Sequence, residues 1–142
     1  MKRTAFVCLA GGFAIVTACT PSSPHAIAKI ASLPAPRNPD LTPVAERFYQ
    51  QVEGGHLRFA YAMLSPVARA RLDRDAFDAR YANLDAAQID ARQAGDRAVV
   101  AVITVPARGG RPARALRERL TFGWSGDEWT VDTIDRRELP AR

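Results

Sequence analysis

The spacing of apolar residues changes once along this chain, and that change limits the folds that the chain can adopt. Between residues 42 and 84, apolar side chains recur every three or four positions, as they do along one face of an α-helix. From residue 87 to residue 134 they alternate with polar side chains, as on the faces of a β-strand. Helices followed by an antiparallel meander define the α+β class, so we expect N-terminal helices and then a four-stranded antiparallel sheet.

Local signals divide the first half into helices. Thr42-Pro43 and Ser65-Pro66 each join a favoured N-cap residue to a proline suited to the first helical position, and Asp73 is a third capping residue. Gly54-Gly55 ends the first helix, and a second is predicted over residues 56–64. The predicted apolar faces carry Val44, Phe48 and Val52, then Leu57, Tyr61 and Leu64, and finally Phe77, Tyr81 and Leu84.

The second half indicates strands. Residues 97–105 are β-branched and apolar on both faces, so we expect a central strand that is covered on both sides and ends before Pro106. The next strand places Leu116, Leu120, Phe122 and Trp124 on one face. The last strand is predicted over residues 128–134, with Trp129, Val131 and Thr133 on one face. Arg136 and Arg137 then follow the strand, where local ion pairs with Asp132 and Asp135, or capping, explain them.

The amino terminus has the layout of a secretory signal peptide. Lys2 and Arg3 precede about fifteen uncharged residues, fewer than the roughly 20 that a membrane-spanning helix needs. The tetrapeptide Val16-Thr17-Ala18-Cys19 resembles the bacterial lipobox. That resemblance implies a lipoprotein signal peptide over residues 1–18, and a mature chain that begins at Cys19 and carries acyl groups, palmitate among them, on that residue. In lipoproteins of enteric-type bacteria a residue such as Thr20 after the cysteine favours the outer membrane, facing the periplasm.

The composition bears on three questions: disulfide bonds, nucleic-acid binding and the boundary of the folded domain. Cys8 lies inside the predicted signal peptide, so Cys19 is the only cysteine of the mature chain and no internal disulfide can form. The net charge of +5 falls to +3 without Lys2 and Arg3, which does not favour nucleic acid as a partner. Five of the ten prolines lie between residues 20 and 40, so residues 19–40 are predicted to be an extended tether and residues 41–142 the folded domain.

The order of these segments resembles the nuclear transport factor 2-like superfamily, which includes the ketosteroid isomerase-like proteins. The matching segments are residues 44–49, Gly54-Gly55-His56, residues 60–66, Phe77 and the Gly-Asp-Glu-Trp run within residues 126–131. The resemblance implies a cone-shaped domain in which N-terminal helices pack on a curved four-stranded antiparallel sheet, often around a cavity. It also implies dimerisation through the sheet. The superfamily contains binding and assembly modules as well as enzymes such as isomerases, dehydratases and polyketide cyclases, so the resemblance leaves the function open.

Candidate ligand residues follow from this pattern. Alternation places Glu118 on the apolar side of its strand, where a desolvated acid could serve as a general base or ligand anchor. The alternative is a carboxylate that lies beyond the core or pairs with an arginine. Trp124 and Trp129 could line a pocket or pack against each other across the strands. The possible cavity residues are therefore Glu118, Trp124, Trp129, Tyr61 and Phe77.

A basic hairpin is the second candidate site. Arg108, Arg111, Arg114, Arg117 and Arg119 are interleaved with Gly and Pro. They could contact anionic lipid headgroups or an acidic partner, and the alternative is a solvated loop. Metal and cofactor sites are not expected, because His25 lies in the tether, His56 in a turn, and Cys19 carries lipid.

Together these features predict a lipid-anchored protein of the cell envelope. Its domain is expected to be a non-catalytic module for ligand binding, protein binding or assembly. Two alternatives stay open: a small cavity enzyme of the isomerase or dehydratase type that uses a buried carboxylate, and a structural subunit of a secretion or envelope complex. The expected partners are the membrane through the lipid anchor, an envelope protein or small apolar ligand, and a second copy of the chain.

Overall fold

A computed structural model describes residues 33–84 and 86–140, which form helices and then strands. The helices are α1 Thr42–Glu53, α2 Leu57–Ala62, α3 Pro66–Arg71 and α4 Arg74–Tyr81, and the strands are β1 Gln88–Gln93, β2 Ala98–Val105, β3 Arg114–Trp124 and β4 Trp129–Leu139. All strand pairs are antiparallel and the sheet order is β1-β2-β3-β4. The α+β prediction is confirmed. The predicted signal peptide and Cys19 lie outside the described residues.

The helix starts follow capping chemistry at two of the three predicted positions. Ser65 Oγ accepts a hydrogen bond from the Ala68 N–H at 3.2 Å, and Asp73 Oδ1 accepts one from the Ala76 N–H at 2.8 Å. The prediction for Thr42 was wrong, because Leu41 holds the N-cap position of α1. Leu41 is fully buried, so its place in the core fixes where the helix begins, and the carboxylate of Asp40 accepts from the Thr42 N–H instead.

Helix α2 ends at Ala62, before the predicted Leu64. The backbone of residues 63–65 pairs with β4: the Val131 N–H donates to the Met63 carbonyl at 2.9 Å, and the Ser65 N–H donates to the Val131 carbonyl at 2.9 Å. Because these groups bond to a strand, they are not available to continue the helix. These two hydrogen bonds attach the segment after α2 to β4, which is one edge strand of the sheet.

The core lies between the helices and one face of the sheet, which we call the inner face. Phe48 of α1 and Phe77 and Tyr81 of α4 contact one another edge-on or tilted, with ring centroids 4.7–6.2 Å apart. The sheet contributes alternate residues of each strand, such as Val99 and Ile103 of β2. Burial of these apolar side chains is the main force that holds helices and sheet together.

The opposite, outer face of β2 is open, so the prediction that this strand is covered on both sides was wrong. Val102 is 39% exposed and Thr104 is also exposed, whereas Ala101 and Ile103 are fully buried. Strand β2 is central, as expected, because it pairs with both β1 and β3. A run of β-branched residues indicates that a segment is a strand, but it does not indicate which face of the strand is buried. The packing of the helices decides that.

A β-bulge reverses the alternation of β4. Thr121 pairs with Thr133 and Phe122 with Val131, so Asp132 is an extra residue on β4. One extra residue moves every later side chain to the other face. Thr133 therefore points outward and bonds the Thr121 hydroxyl, which makes the prediction that Thr133 shares a face with Trp129 and Val131 wrong.

The described part of the predicted tether contacts the domain. The Leu33 N–H donates to the Gly126 carbonyl at 3.2 Å, and Gln93 Nε2 donates to the Pro39 carbonyl at 3.2 Å. Residues 33–40 have no helix or strand, yet they run along the folded part between these two contacts. No helix in the described ranges has the length and apolar character needed to cross a membrane.

Candidate functional site

Glu118 is a charged residue at the centre of the inner face. The alternation of β3 directs its side chain between those of Leu116 and Leu120, where it is 0% exposed. The structure thus places Glu118 on the apolar side, where the sequence pattern put it. Burying a carboxylate is costly unless the group is paired and hydrogen-bonded, so its partners determine what this site can do.

Three side chains donate hydrogen bonds to the Glu118 carboxylate. Tyr49 of α1 donates its hydroxyl to Oε2 at 2.9 Å, and Tyr81 of α4 donates to Oε2 at 3.0 Å and to Oε1 at 3.2 Å. Arg136 of β4 donates from Nε to Oε1 at 2.6 Å. Nε of Arg80 lies 3.5 Å from Oε1, an ion-pair contact without hydrogen-bond geometry. We call these five residues the Glu118 cluster.

The two arginines of the cluster are held by the backbone. Arg136 Nη1 donates to the Arg80 carbonyl at 2.7 Å, and Arg80 Nη2 donates to the Ile134 carbonyl at 3.4 Å. The Arg136 guanidinium also lies 4.8 Å from the centroid of the Tyr81 ring, within cation–π range. Two guanidinium groups beside one carboxylate leave the cluster with an excess of positive charge.

The environment keeps both tyrosines protonated. Burial raises the pKa of Tyr49 and Tyr81 well above the usual value of about 10, and the nearby Glu118 carboxylate raises both further. The arginines oppose this effect and do not overcome it. At neutral pH both hydroxyls are therefore donors, which suits an ionised carboxylate between them.

The Glu118 cluster joins secondary-structure elements. Its members come from α1, α4, β3 and β4, so one carboxylate connects two helices to two strands. A general base must approach a substrate proton to about 2.6–3.2 Å. Both oxygens of Glu118 already accept hydrogen bonds and the side chain is closed to solvent. The alternative interpretation of Glu118, a carboxylate paired with arginine, describes this geometry.

Sequence reasoning missed most of this cluster. Arg136 was placed beyond the last strand with a local partner, but β4 continues to Leu139 and the bulge turns Arg136 inward toward Glu118. Arg137, in contrast, does have the predicted local partner, because its Nη2 lies 3.6 Å from Asp135 Oδ2. Alternation counted from Ile134 would have predicted that Arg136 faces inward. However, no residue type in the sequence indicates the β-bulge that reverses the alternation before Ile134.

Two other predicted cavity residues pack next to the cluster. Phe77 is fully buried, and its ring centroid lies 4.7 Å from that of Tyr81 and 5.3 Å from that of Tyr61. The Tyr61 hydroxyl donates to the Leu72 carbonyl at 3.3 Å. Phe77 is thus a core residue and Tyr61 covers it from the outside.

The two tryptophans form a separate site at the β3–β4 turn. Trp124 and Trp129 pair across the strands with ring centroids 5.3 Å apart, and Trp124 Nε1 donates to the Leu33 carbonyl at 2.7 Å. They also border a cleft of about 380 Å³, together with Val44 and Met63. Cross-strand packing and the lining of a cleft therefore both apply, but the structure does not bring this pair together with Glu118.

The predicted basic surface divides into two. Arg117 and Arg119 point outward from β3, where they lie beside Val102 and Val100 of β2 in register. We call these four residues the outer surface. Within residues 33–84 and 86–140 neither arginine forms an ion pair, whereas Arg92 and Arg137 on the same face pair with Asp90 and Asp135.

Arg108, Arg111 and Arg114 border a groove of about 850 Å³, which we call the hairpin groove. One wall is the β2–β3 hairpin with Val105, Pro106 and Pro112, and the other carries Ala82 and Ala86 after α4. The tip turns at Gly109 and Gly110, both of which have positive φ.

No family model, curated protein or solved structure matches the chain. Within the described ranges, no group of three or more His, Cys, Asp and Glu side chains is placed to hold a metal ion.

Proposed function

We propose that this chain is a lipid-anchored protein of the cell envelope, with a non-catalytic binding or assembly domain of the nuclear transport factor 2-like cone type. The order of helices followed by a four-stranded antiparallel sheet supports the fold assignment. The lipobox-like segment that ends at Cys19 supports the anchor, and Thr20 supports the outer membrane.

The observation that carries the proposal is the contrast between an enclosed acid and an open sheet. Glu118 is fully buried and hydrogen-bonded, while Val102 is exposed and is flanked by Arg117. In the described part of the chain, the arginines beside this valine lack ion-pair partners. Such a surface is suited to bind a partner protein that presents carboxylates around an apolar centre. The proposed binding site is therefore the outer surface.

The enzyme alternative needs a substrate within reach of a carboxylate, and the contacts around Glu118 do not favour it. The third alternative, a structural subunit of an envelope complex, would use the same outer surface. A second copy of this chain is a further possible occupant of that surface. A partner protein, an envelope complex and a second copy of the chain are distinguished by identifying what the outer surface contacts in the cell.

In-cell photo-crosslinking tests the proposal. A photoreactive amino acid replaces Val102 on the outer surface or, as a control, the still more exposed Phe59 of α2. We expect Val102 to give a discrete adduct with an envelope protein and Phe59 to give none, with the partner identified by mass spectrometry. The double variant Arg117→Glu, Arg119→Glu should abolish the adduct, because the charge reversal repels a partner with carboxylates.

An adduct of twice the chain mass would identify a homodimer. Equal labelling from Val102 and Phe59, or labelling from neither, would contradict the outer surface as a binding site.

The anchor is tested separately by metabolic labelling with a palmitate analogue. The full chain should be labelled and fractionate with outer membranes, and Cys19→Ala should not be labelled. Labelling that persists in Cys19→Ala would contradict the lipobox assignment. Labelled protein that fractionates with inner membranes would contradict only the sorting assignment.

A further inference from the structure

The hairpin groove lies apart from both the Glu118 cluster and the outer surface. It is open and concave, with a volume of about 850 Å³. Sites for small molecules commonly measure about 300–1,000 Å³, so the groove has room for one organic molecule. Its two walls come from the β2–β3 hairpin and from Ala82, Asn83 and Ala86, which follow α4.

Charge at the groove favours an anion. Arg111 is exposed at the hairpin tip and forms no ion pair with any residue in the described ranges. Arg114 Nη1 lies 3.9 Å from Glu138 Oε1, and both side chains are largely exposed, so this pair is weak and open to exchange. Guanidinium groups bind carboxylates and phosphates through paired hydrogen bonds.

Apart from the charged side chains and Asn83, which contributes a polar amide, the side chains that line the groove are apolar. Val105, Pro106 and Pro112 line one wall, and Ala82 and Ala86 line the other. None of these five side chains can donate or accept a hydrogen bond, so the two walls suit a hydrocarbon chain. Arginines at the rim and alkyl groups on the walls match a molecule with an anionic head and an apolar body.

We propose that the hairpin groove binds a single anionic amphiphile, a molecule that carries a carboxylate or phosphate on an alkyl chain. A single molecule is favoured over a bilayer surface because the arginines and the apolar walls line a concavity, which a flat plane of headgroups does not enter. This inference rests on the proposed binding function, gives it a second site, and names the chemical class of that ligand.

Photolabelling tests the assignment with the full lipidated chain in phosphatidylcholine nanodiscs. The probe is dodecanoate that carries a diazirine, and labelled peptides are mapped by mass spectrometry. We expect saturable labelling at residues 82, 83 and 86 and within residues 105–114. Unlabelled dodecanoate and dodecyl phosphate should displace the probe, whereas dodecyl maltoside, with the same chain on an uncharged head, should not.

Three variants make the test specific for charge. Arg111→Gln should raise the half-saturating probe concentration about fivefold, because one partly exposed charge contact is lost. Glu138→Gln should lower it about twofold or more, since it removes the carboxylate that competes for Arg114. Arg58→Gln alters an exposed arginine of α2 outside the groove lining and should change nothing. A merely structural role for Glu138 would not produce tighter labelling.

Several results would overturn the proposal. These are labelling that does not saturate, labelling confined to other peptides, equal displacement by dodecyl maltoside, or no tightening in Glu138→Gln. Nanodiscs with phosphatidylglycerol that block labelling as fully as dodecanoate does would assign the groove to bilayer headgroups and reject a single bound molecule. The crosslinking test at Val102 is independent of all these results, so failure at the groove does not decide the proposed function.

Discussion

Val102 and Ile103 are neighbours on β2, and Arg117 and Glu118 are neighbours on β3, yet each pair is divided between two environments. Ile103 and Glu118 lie on the inner face with no exposed surface, whereas Val102 and Arg117 lie on the outer face in contact with solvent. The residue types do not explain the division, since an acid is buried and a valine is exposed. Position relative to the helices explains it.

The comparison teaches that the buried charge and the proposed binding surface lie on opposite faces of this sheet. On the inner face a charged group is tolerated because Tyr49, Tyr81 and Arg136 satisfy it, and removing it would leave the buried Arg136 guanidinium without its carboxylate. On the outer face the arginines have water as their alternative partner, so a bound protein can replace that water at little cost to the fold. Four predictions test this division, from the largest expected effect to the smallest.

Replacing the buried acid should have the largest effect. We expect Glu118→Gln to lower the free energy of unfolding by about 3–5 kcal/mol, because the Arg136 guanidinium would remain buried without a carboxylate. Urea unfolding followed by circular dichroism measures this value. The control is Arg119→Gln, which changes the next residue along the chain. Arg119 lies on the outer face, like Arg117, so this variant should change stability by less than about 0.5 kcal/mol. Similar losses in both variants would break the comparison.

Neighbouring apolar residues of β2 should also differ. Ile103→Ala is expected to cost about 2–4 kcal/mol, since it leaves a cavity in the core, and Val102→Ala should cost less than about 0.5 kcal/mol. The same unfolding experiment measures both. A cost at Val102 that approaches that at Ile103 would indicate that the outer face is covered in solution, as in a homodimer, and protein-concentration dependence of unfolding would identify that case.

Removing one hydroxyl from the Glu118 cluster should have a moderate effect. Tyr49→Phe is expected to cost about 1.5–3 kcal/mol, because a hydrogen bond to a buried charged acceptor is lost. Tyr61→Phe removes a hydroxyl that donates to a neutral carbonyl at 3.3 Å and should cost about 1 kcal/mol or less. Equal costs would show that the carboxylate gains little from Tyr49.

The raised tyrosine pKa values predict an alkaline limit to stability. Unfolded tyrosines ionise near pH 10, while Tyr49 and Tyr81 in the folded chain keep their protons to higher pH. The folded state then binds more protons than the unfolded state, so stability is complete below pH 10 and falls as pH rises above it. Each tyrosine should contribute a slope of at most about 1.4 kcal/mol per pH unit.

Unfolding measured between pH 8 and pH 11 checks this slope. Tyr49→Phe and Tyr81→Phe should each flatten the alkaline fall, whereas Tyr61→Phe should leave it unchanged. An unaltered slope in both cluster variants would assign the alkaline fall to other groups.

How far the sequence predicts this molecule depends on the range of the interaction concerned. The caps at Ser65 and Asp73 involve residues three apart, so the sequence predicted them correctly. The start of α1 was misplaced because Leu41 is fixed by the distant core and not by its neighbours. The same reason accounts for the early end of α2, whose next residues bond to Val131.

The candidate site shows a similar limit. Alternation along β3 was enough to place Glu118 on the inner face, but its four partners lie 18 to 69 residues away in the chain. The bulge at Asp132 is accommodated at Gly123, where a Cβ atom would collide with the Asp132 carboxylate. That accommodation depends on how two strands meet, and it decides that Arg136 faces Glu118.

The sequence by itself determined the α+β class, the positions of most helices and strands, and the inward direction of Glu118, because these follow from periodicity and from contacts between near neighbours. Only the tertiary structure decided that one face of β2 stays open, that Arg136 reaches Glu118, and that the five predicted arginines divide between the hairpin groove and the outer surface. The physical reason is that burial and charge pairing depend on which segments meet in space, and the packing of helices on one side of the sheet makes that choice.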